Sequence, residues 1–158
     1  MVAVFKTSKT FGHQLGLSVA FRQWRAGSHC RFVHGYALAI RLDFQSTNLD
    51  DRGWVVDFGD MKDLLKKIQD FFDHKTLVAE DDPELAWFKE AHQRQIVDLV
   101  VVPATSCEHF AFLVYQLAQS WLANKKLDNR CSVSLVEVSE HGANSASYAP
   151  LLPPTPTV

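Results

Sequence analysis

Ser28-His29-Cys30-Arg31-Phe32-Val33-His34-Gly35-Tyr36-Ala37-Leu38-Ala39-Ile40-Arg41-Leu42-Asp43-Phe44 is the stretch on which the fold turns. Its second half alternates Leu38, Ile40, Leu42 and Phe44 with Ala37, Ala39, Arg41 and Asp43. Successive side chains in a strand point to opposite faces, so this run predicts a strand with one well-packed face. The same parity sends His34 and Tyr36 to one side. Just before it, two histidines and a cysteine lie within six positions, His29, Cys30 and His34. A rigid strand mouth is a good place from which to present a metal ligand, a nucleophile or a proton carrier.

Upstream, Val2–Thr7 and Leu15–Phe21 read as one long strand, interrupted or bulged near Gly12, and Gln23–Gly27 as a polar loop leading into the cluster. Downstream, Thr47–Gly53 is turn-like and Trp54–Phe58 reads as a short strand. Met61, Leu64, Leu65, Ile68, Phe71 and Phe72 share a helical face, so a helix is expected from an N-cap at Asp57 or Asp60 to about His74. Glu80-Asp81-Asp82-Pro83 is an acidic break before a short helix to about Gln95 and an apolar piece, Ile96–Val102. Thr105-Ser106-Cys107-Glu108 has the form of a capping box, with Thr at the cap and Glu three residues on. The helix it opens carries Phe110, Leu113, Val114, Leu117, Trp121 and Leu122 and ends near Asn124. Ser132–Val138 is the last expected strand, and 150–158 is a proline-rich tail. Two helices against an antiparallel sheet make an α+β domain spanning 1–149.

The 158 residues, 47% hydrophobic, suit one domain with a sizeable core. A formal charge of −2 offers no bulk attraction to phosphate backbones or anionic lipid, so neither nucleic acid nor membrane is the expected partner. Three cysteines, at 30, 107 and 131, are odd in number and lack a CxxC pair, which speaks against a disulfide framework or a zinc ribbon. Met1–Thr7 lacks the apolar segment of a signal peptide and no run reaches the length of a membrane span, so the expected location is the cytoplasm.

Each residue with chemistry has a plain structural explanation beside it. A cysteine alone is most often small and buried, but Cys30 keeps company with His29 and His34, which could hold it as the thiolate that a nucleophile or base requires. His74 after Asp73 could simply sit at the negative end of a helix dipole, or the carboxylate could orient the imidazole as a proton carrier. Glu137 among Leu135, Val136 and Val138 faces outward from an edge strand or is reserved for the paired N–H donors of a guanidine-like heterocycle. Glu108 already has work in the capping box and ranks lower. His92, His109 and His141 read as surface or core residues.

Taken in order, these motifs resemble the 6-pyruvoyl-tetrahydropterin synthase and 6-carboxytetrahydropterin synthase family, from about His13 to Tyr148. Cys30-x-x-x-His34-Gly35 is similar to the family's catalytic Cys followed by HGH. Gly53–Lys62 resembles "GMVIDFGDLK", Phe72-Asp73-His74-Lys75-x-Leu77 resembles "LDHKxL", Thr105–Ala111 resembles the "TTENxA" helix start, and Val136-Glu137-Val138 the strand with the pterin-anchoring Glu. The resemblance implies the tunnelling fold: a four-stranded antiparallel sheet with two helices on one face, joined between subunits into a barrel, a homo-oligomer such as a hexamer with sites at subunit interfaces. It further implies a carbon–carbon or carbon–oxygen lyase of queuosine-type pterin chemistry, acting on dihydroneopterin triphosphate or a relative. Cys30, Asp73 and His74 would be catalytic, with Glu137, Ser106, Cys107 and Glu108 on the substrate and zinc held by three histidines. A pterin- or purine-binding protein without zinc-dependent catalysis is the alternative, and a partner subunit in a mixed barrel a third.

The departures concern zinc. The family's second HGH histidine is Tyr36 here. The first ligand is Phe21 if Leu17–Phe21 is the family's "FSAAH" segment, or His13 if Thr10–His13 is. His34, with His13 and His29 as possible companions, is the remaining candidate set. The insert at about 81–102 is longer than usual for the family and is expected to reshape the pocket rim.

Overall fold

The long central strand forms as its alternation predicts. In the computed structural model, which describes residues 3–151, it runs His34–Ser46, with Leu38, Ile40, Leu42 and Phe44 all buried. Seven strands form one mixed sheet: β1 Phe5–Phe11, β2 Leu17–Phe21, β3 His34–Ser46, β4 Lys75–Ala79, β5 Leu99–Val102, β6 Cys131–His141 and β7 Asn144–Tyr148, in the order β5-β4-β2-β3-β6-β7 with β1 also on β3. The α-helices are α1 Met61–Phe72, α2 Leu85–Gln93 and α3 Cys107–Asn124. The expected four-stranded antiparallel sheet with two helices is therefore corrected to a mixed sheet of seven strands with three helices, and the α+β class stands. Residues 152–158, most of the proline-rich tail, lie outside the described residues.

The interrupted first strand is present. β1 and β2 both pair antiparallel with β3, Phe11 opposite Ile40 and Leu17 opposite Leu38, so residues 12–16 bulge out across from Ala39. Gly16 closes the bulge at φ +67°, a left-handed conformation that glycine adopts without steric cost. Gly35 is fixed by close approach, since a Cβ there would stand 2.4 Å from the Val19 carbonyl oxygen.

Met61, Leu64, Ile68 and Phe72 bury one face of α1, and Phe110, Val114, Trp121 and Leu122 bury one face of α3, both against the apolar side of the sheet. The expected strand at Trp54–Phe58 does not form. Its carbonyls are taken by a guanidinium instead, Arg130 donating to Trp54 at 3.1 Å and to Val55 at 2.8 Å, while Val55 and Val56 enter the core. Asp57 caps the short 3₁₀ turn Phe58–Asp60 through the Gly59 N–H. Three strands escaped the sequence reading, β5 having been read only as an apolar piece. β4 is five residues long and hides between α1 and the acidic break, and β7 is Asn-Ser-Ala-Ser-Tyr, with almost no apolar signal.

The insert, expected to reshape the pocket rim, places none of its residues in the lining of the cavity at the start of β3. With β4 it builds a β4-α2-β5 unit whose strands are parallel, Thr76 pairing with Leu99 and Ala79 with Val102, and β4 is parallel to β2 as well. A parallel connection needs a crossover, and α2 supplies it.

Candidate functional site

Following the core face of the sheet toward the start of β3 leads off the hydrophobic core and into a cavity of about 410 Å³. Phe21 at the end of β2 and His34 at the start of β3 face each other in the ladder, and Tyr36 follows on the same face. Cys30 arrives on a 3₁₀ turn, His29–Arg31, capped by Ser28, whose hydroxyl accepts from the Cys30 N–H. The far wall is the first turn of α3, Ser106, Cys107 and Glu108, and the third side is the β6–β7 hairpin with Glu140, Asn144, Ser145 and Ala146.

Of the residues expected from the sequence, Cys30, His34, Ser106, Cys107 and Glu108 come together here. Glu137 does not line the cavity; Glu140 does. Counting by two from the buried Val136 and Val138 reaches Glu140, whereas Glu137 lies on the opposite face, opposite Arg41 of β3 and Ser147 of β7. Parity in the sequence could turn Glu137 away from the core face, but Glu140 sits at an irregularity in the β6–β7 pairing between Ser139 and His141, which parity does not foresee.

The N-cap is shifted by one residue, which puts His109 and not Glu108 three positions on and leaves no capping box. Ser106, not Thr105, is the N-cap of α3, its hydroxyl accepting from the His109 N–H at 3.2 Å. The Thr105 hydroxyl donates instead to the Arg22 carbonyl at 2.6 Å. Glu108, released from capping, stands exposed at the cavity wall.

Burial, with the charges around it, sets the protonation of the groups here. Burial, reinforced by the Glu140 carboxylate, pushes the Cys107 thiol up to about 12, so it stays neutral. Burial raises the Tyr36 phenol too, with Glu140, Cys30 and Cys107 adding to the effect, and it keeps its proton. The His34 Nδ1 lies 2.7 Å from the Phe32 carbonyl oxygen, an acceptor that places a proton on that nitrogen.

Asp73 and His74 are elsewhere on this chain. Asp73 ends α1, its carboxylate accepts the Ser18 N–H at 3.0 Å, and the His74 N–H donates to the Ser18 carbonyl at 2.7 Å. These ties to β2 hold His74 at φ +58°, a costly conformation for a residue with a Cβ. The imidazole Nδ1 is 3.0 Å from Asp73 and the ring is 82% exposed, presented outward rather than into the cavity.

The donor set does not suit zinc. The rings of Phe21, His34 and Tyr36 cluster, with centroids 5.0 Å apart for Phe21–His34, 6.2 Å for Phe21–Tyr36 and 5.6 Å for His34–Tyr36. One of the three has no lone pair to offer, another is a phenol held protonated, and only His34 is an imidazole. Phe21 lies edge-on to Phe110 and belongs to the core. The other expected companions are not with them: His13 sits on the bulge with its Nδ1 at 2.5 Å from the Ala37 carbonyl oxygen, and His29 is exposed on its turn. Among the described residues no three His, Cys, Asp or Glu side chains are grouped to hold a metal ion. Four-coordinate zinc needs three or four N, S or O donors converging.

A mixed sheet with helices on its apolar face, closed at one end by a cysteine, a carboxylate and the first turn of a helix, defines a protein of the pterin-synthase-like tunnelling class. The family profile described as 6-pyruvoyl tetrahydropterin synthase matches residues 12–150, and the chain belongs to that family. It is 35% identical over 69 residues to a 6-carboxy-5,6,7,8-tetrahydropterin synthase of Rickettsia bellii, covering 43% of this chain and 50% of that protein. A Rickettsia conorii protein of the same name is 39% identical over 57 residues, 35% of this chain and 41% of its own. The matched stretches thus span half or less of these curated relatives. The same fold is seen in an uncharacterized protein of Wolinella succinogenes, TM-score 0.75 at 19% identity, covering 93% of this chain and 98% of that one. It is seen again in Plasmodium falciparum 6-pyruvoyl tetrahydropterin synthase, TM-score 0.68 at 18% identity, covering 94% and 99%.

Proposed function

We propose that the chain is a lyase of the 6-carboxytetrahydropterin synthase type, acting on the side chain of dihydroneopterin triphosphate or a close relative. The observation that carries this reading is that Cys30 and Glu140 line one cavity, with Ser106 and Cys107 between them. Glu140 accepts the paired N–H donors of the pterin ring, the role expected of Glu137 from the sequence, and Ser106 and Cys107 border the ring. Cys30 takes a proton from the side chain. The Tyr36 hydroxyl, which keeps its proton, is the donor at hand for an oxygen that gains negative charge in that step. Asp73 and His74 complete the relay from a neighbouring copy, in keeping with the interface sites implied by the resemblance. No step is routed through a metal.

The experiment is a turnover and binding assay on dihydroneopterin triphosphate with purified protein. Turnover lost in Cys30→Ala, ring binding lost in Glu140→Ala and kept in Glu137→Ala, and activity regained on mixing Cys30→Ala with His74→Ala protein are the expected results. Wild-type protein without turnover would sink the lyase reading.

The ring cluster at Phe21, His34 and Tyr36 favours a second reading, a pterin- or purine-binding protein that has given up zinc-dependent chemistry. It expects tight binding that Glu140→Ala removes and Cys30→Ala leaves intact, with no turnover.

A further inference from the structure

The loop carrying Cys30 leaves β2 after Phe21 and returns at His34, and two carboxylates at the head of the insert hold it. Arg22 meets Asp82 through both prongs, Nε to Oδ2 at 2.8 Å and Nη2 to Oδ1 at 2.5 Å, and the Asp82 side chain is 1% exposed. The Glu84 N–H donates to the same carboxylate at 2.8 Å. Farther along, Arg25 Nη2 donates to Asp81 Oδ2 at 2.6 Å and Trp24 Nε1 to Asp81 Oδ1 at 3.1 Å.

The loop is also tied to the foot of α3. Thr105 donates to the Arg22 carbonyl, Gln23 Nε2 donates to the Thr105 carbonyl at 3.0 Å, and the Gln23 N–H donates to the Cys30 carbonyl at 2.9 Å. A continuous series of bonds therefore runs from the insert through Arg22, Thr105 and Gln23 to the backbone of Cys30. Each lies within ordinary hydrogen-bond length, and the first is a two-pronged charge pair whose carboxylate is buried, a strong kind of side-chain hydrogen bonding and a damaging one to break on one side.

We infer that Asp82, seconded by Asp81, is a positioning residue for Cys30, and that the insert serves the site by locking the Cys30 loop against the first turn of α3. A metal shared between β2 and β3 would hold the two ends of this loop together, and the ring cluster leaves only His34 as a donor for one. The Arg22–Asp82 fork instead fastens the start of the loop to the insert. This inference rests on the proposed function only in taking Cys30 as the working thiol.

The test is the iodoacetamide alkylation rate of each cysteine in the full chain, followed by mass spectrometry. Cys131, buried on β6, reports on the fold, and Cys30 on the loop. In Asp82→Asn and in Arg22→Lys, which keeps the charge and loses the fork, Cys30 is expected to react roughly fivefold faster, the change that loosening a segment by a modest free energy produces. Cys131 should stay as protected as before. An unchanged Cys30 rate, or Cys30 and Cys131 accelerating in parallel, overturns the inference. Should Asp82→Asn fail to fold, Gln23→Ala cuts the same series at an accessible link. A faster Cys30 there supports positioning and an unchanged one refutes it. Where turnover is measurable, kcat falls while KM holds, because the loop places the thiol and not the ring. A wild type with no turnover removes the lyase reading and leaves the alkylation result to be read as before.

Discussion

Two side chains decide what the cavity can do. Phe21 occupies the place opposite His34 where a histidine would aim at the same point, and Tyr36 occupies the next one along β3. Their rings lie within 6.2 Å of each other and of His34. Three ring positions thus converge, and only one of them carries an imidazole. Phe21→His with Tyr36→His should convert the cluster into a zinc site. Elemental analysis of purified protein is expected to find no stoichiometric zinc in the wild type and about one per chain in the double variant. Zinc at one per chain in the wild type, surviving dialysis, would show that the ring cluster does not exclude the metal. The cost of the change falls on packing, since Phe21 is 4% exposed and edge-on to Phe110.

At the scale of elements, the register of α3 sets the cavity wall. An N-cap at Thr105 and one at Ser106 differ by a single position, and N-cap propensity does not separate them, because both residues cap helices well. Tertiary contact does: Thr105 is drawn off to the Arg22 carbonyl, and Ser106 is left facing the His109 N–H. Ser106→Ala should lower stability by about 1 kcal/mol in urea unfolding, the usual value of an N-cap, whereas exposed Glu108→Gln should cost about nothing. A loss of cap-like size at Glu108 would restore the box as first read. The same separation of local from tertiary signals explains the strands. β3, α1 and α3 were legible because each has a long apolar stripe of the right period, whereas β4 and β7 are too short or too polar to announce themselves and exist because a neighbouring strand offers its edge.

Across the whole molecule, the Arg22–Asp82 fork joins two parts that are far apart in sequence, and its charge makes stability depend on pH. Burial alone would push the Asp82 carboxyl up, but the hydrogen bonds from Arg22 and the Glu84 N–H outweigh it and hold the group below the usual carboxylate range. A carboxyl with a depressed folded pKa contributes stability above its unfolded pKa and loses it as pH falls through the folded one. The wild type should therefore exceed Asp82→Asn in stability by a constant margin near neutrality, and the margin should shrink below about pH 4. Thermal melts across that range would show it, and a margin independent of pH would mean that the carboxylate charge is not what Asp82 contributes.

By itself the sequence determined the local pieces: the period-two face of β3, the apolar stripes of α1 and α3, the Cys30 and His34 mouth, and the order of motifs that marks the family. These depend on residues close in the chain, where side-chain period and backbone preference act directly. Only the tertiary structure decided that Glu140 and not Glu137 faces the cavity, that Asp73 and His74 face away from it, that His13 and His29 do not join His34, and that Asp81 and Asp82 grip the Cys30 loop. Those are meetings between segments tens of residues apart, set by which strand edge and which helix end are left open once the core has packed.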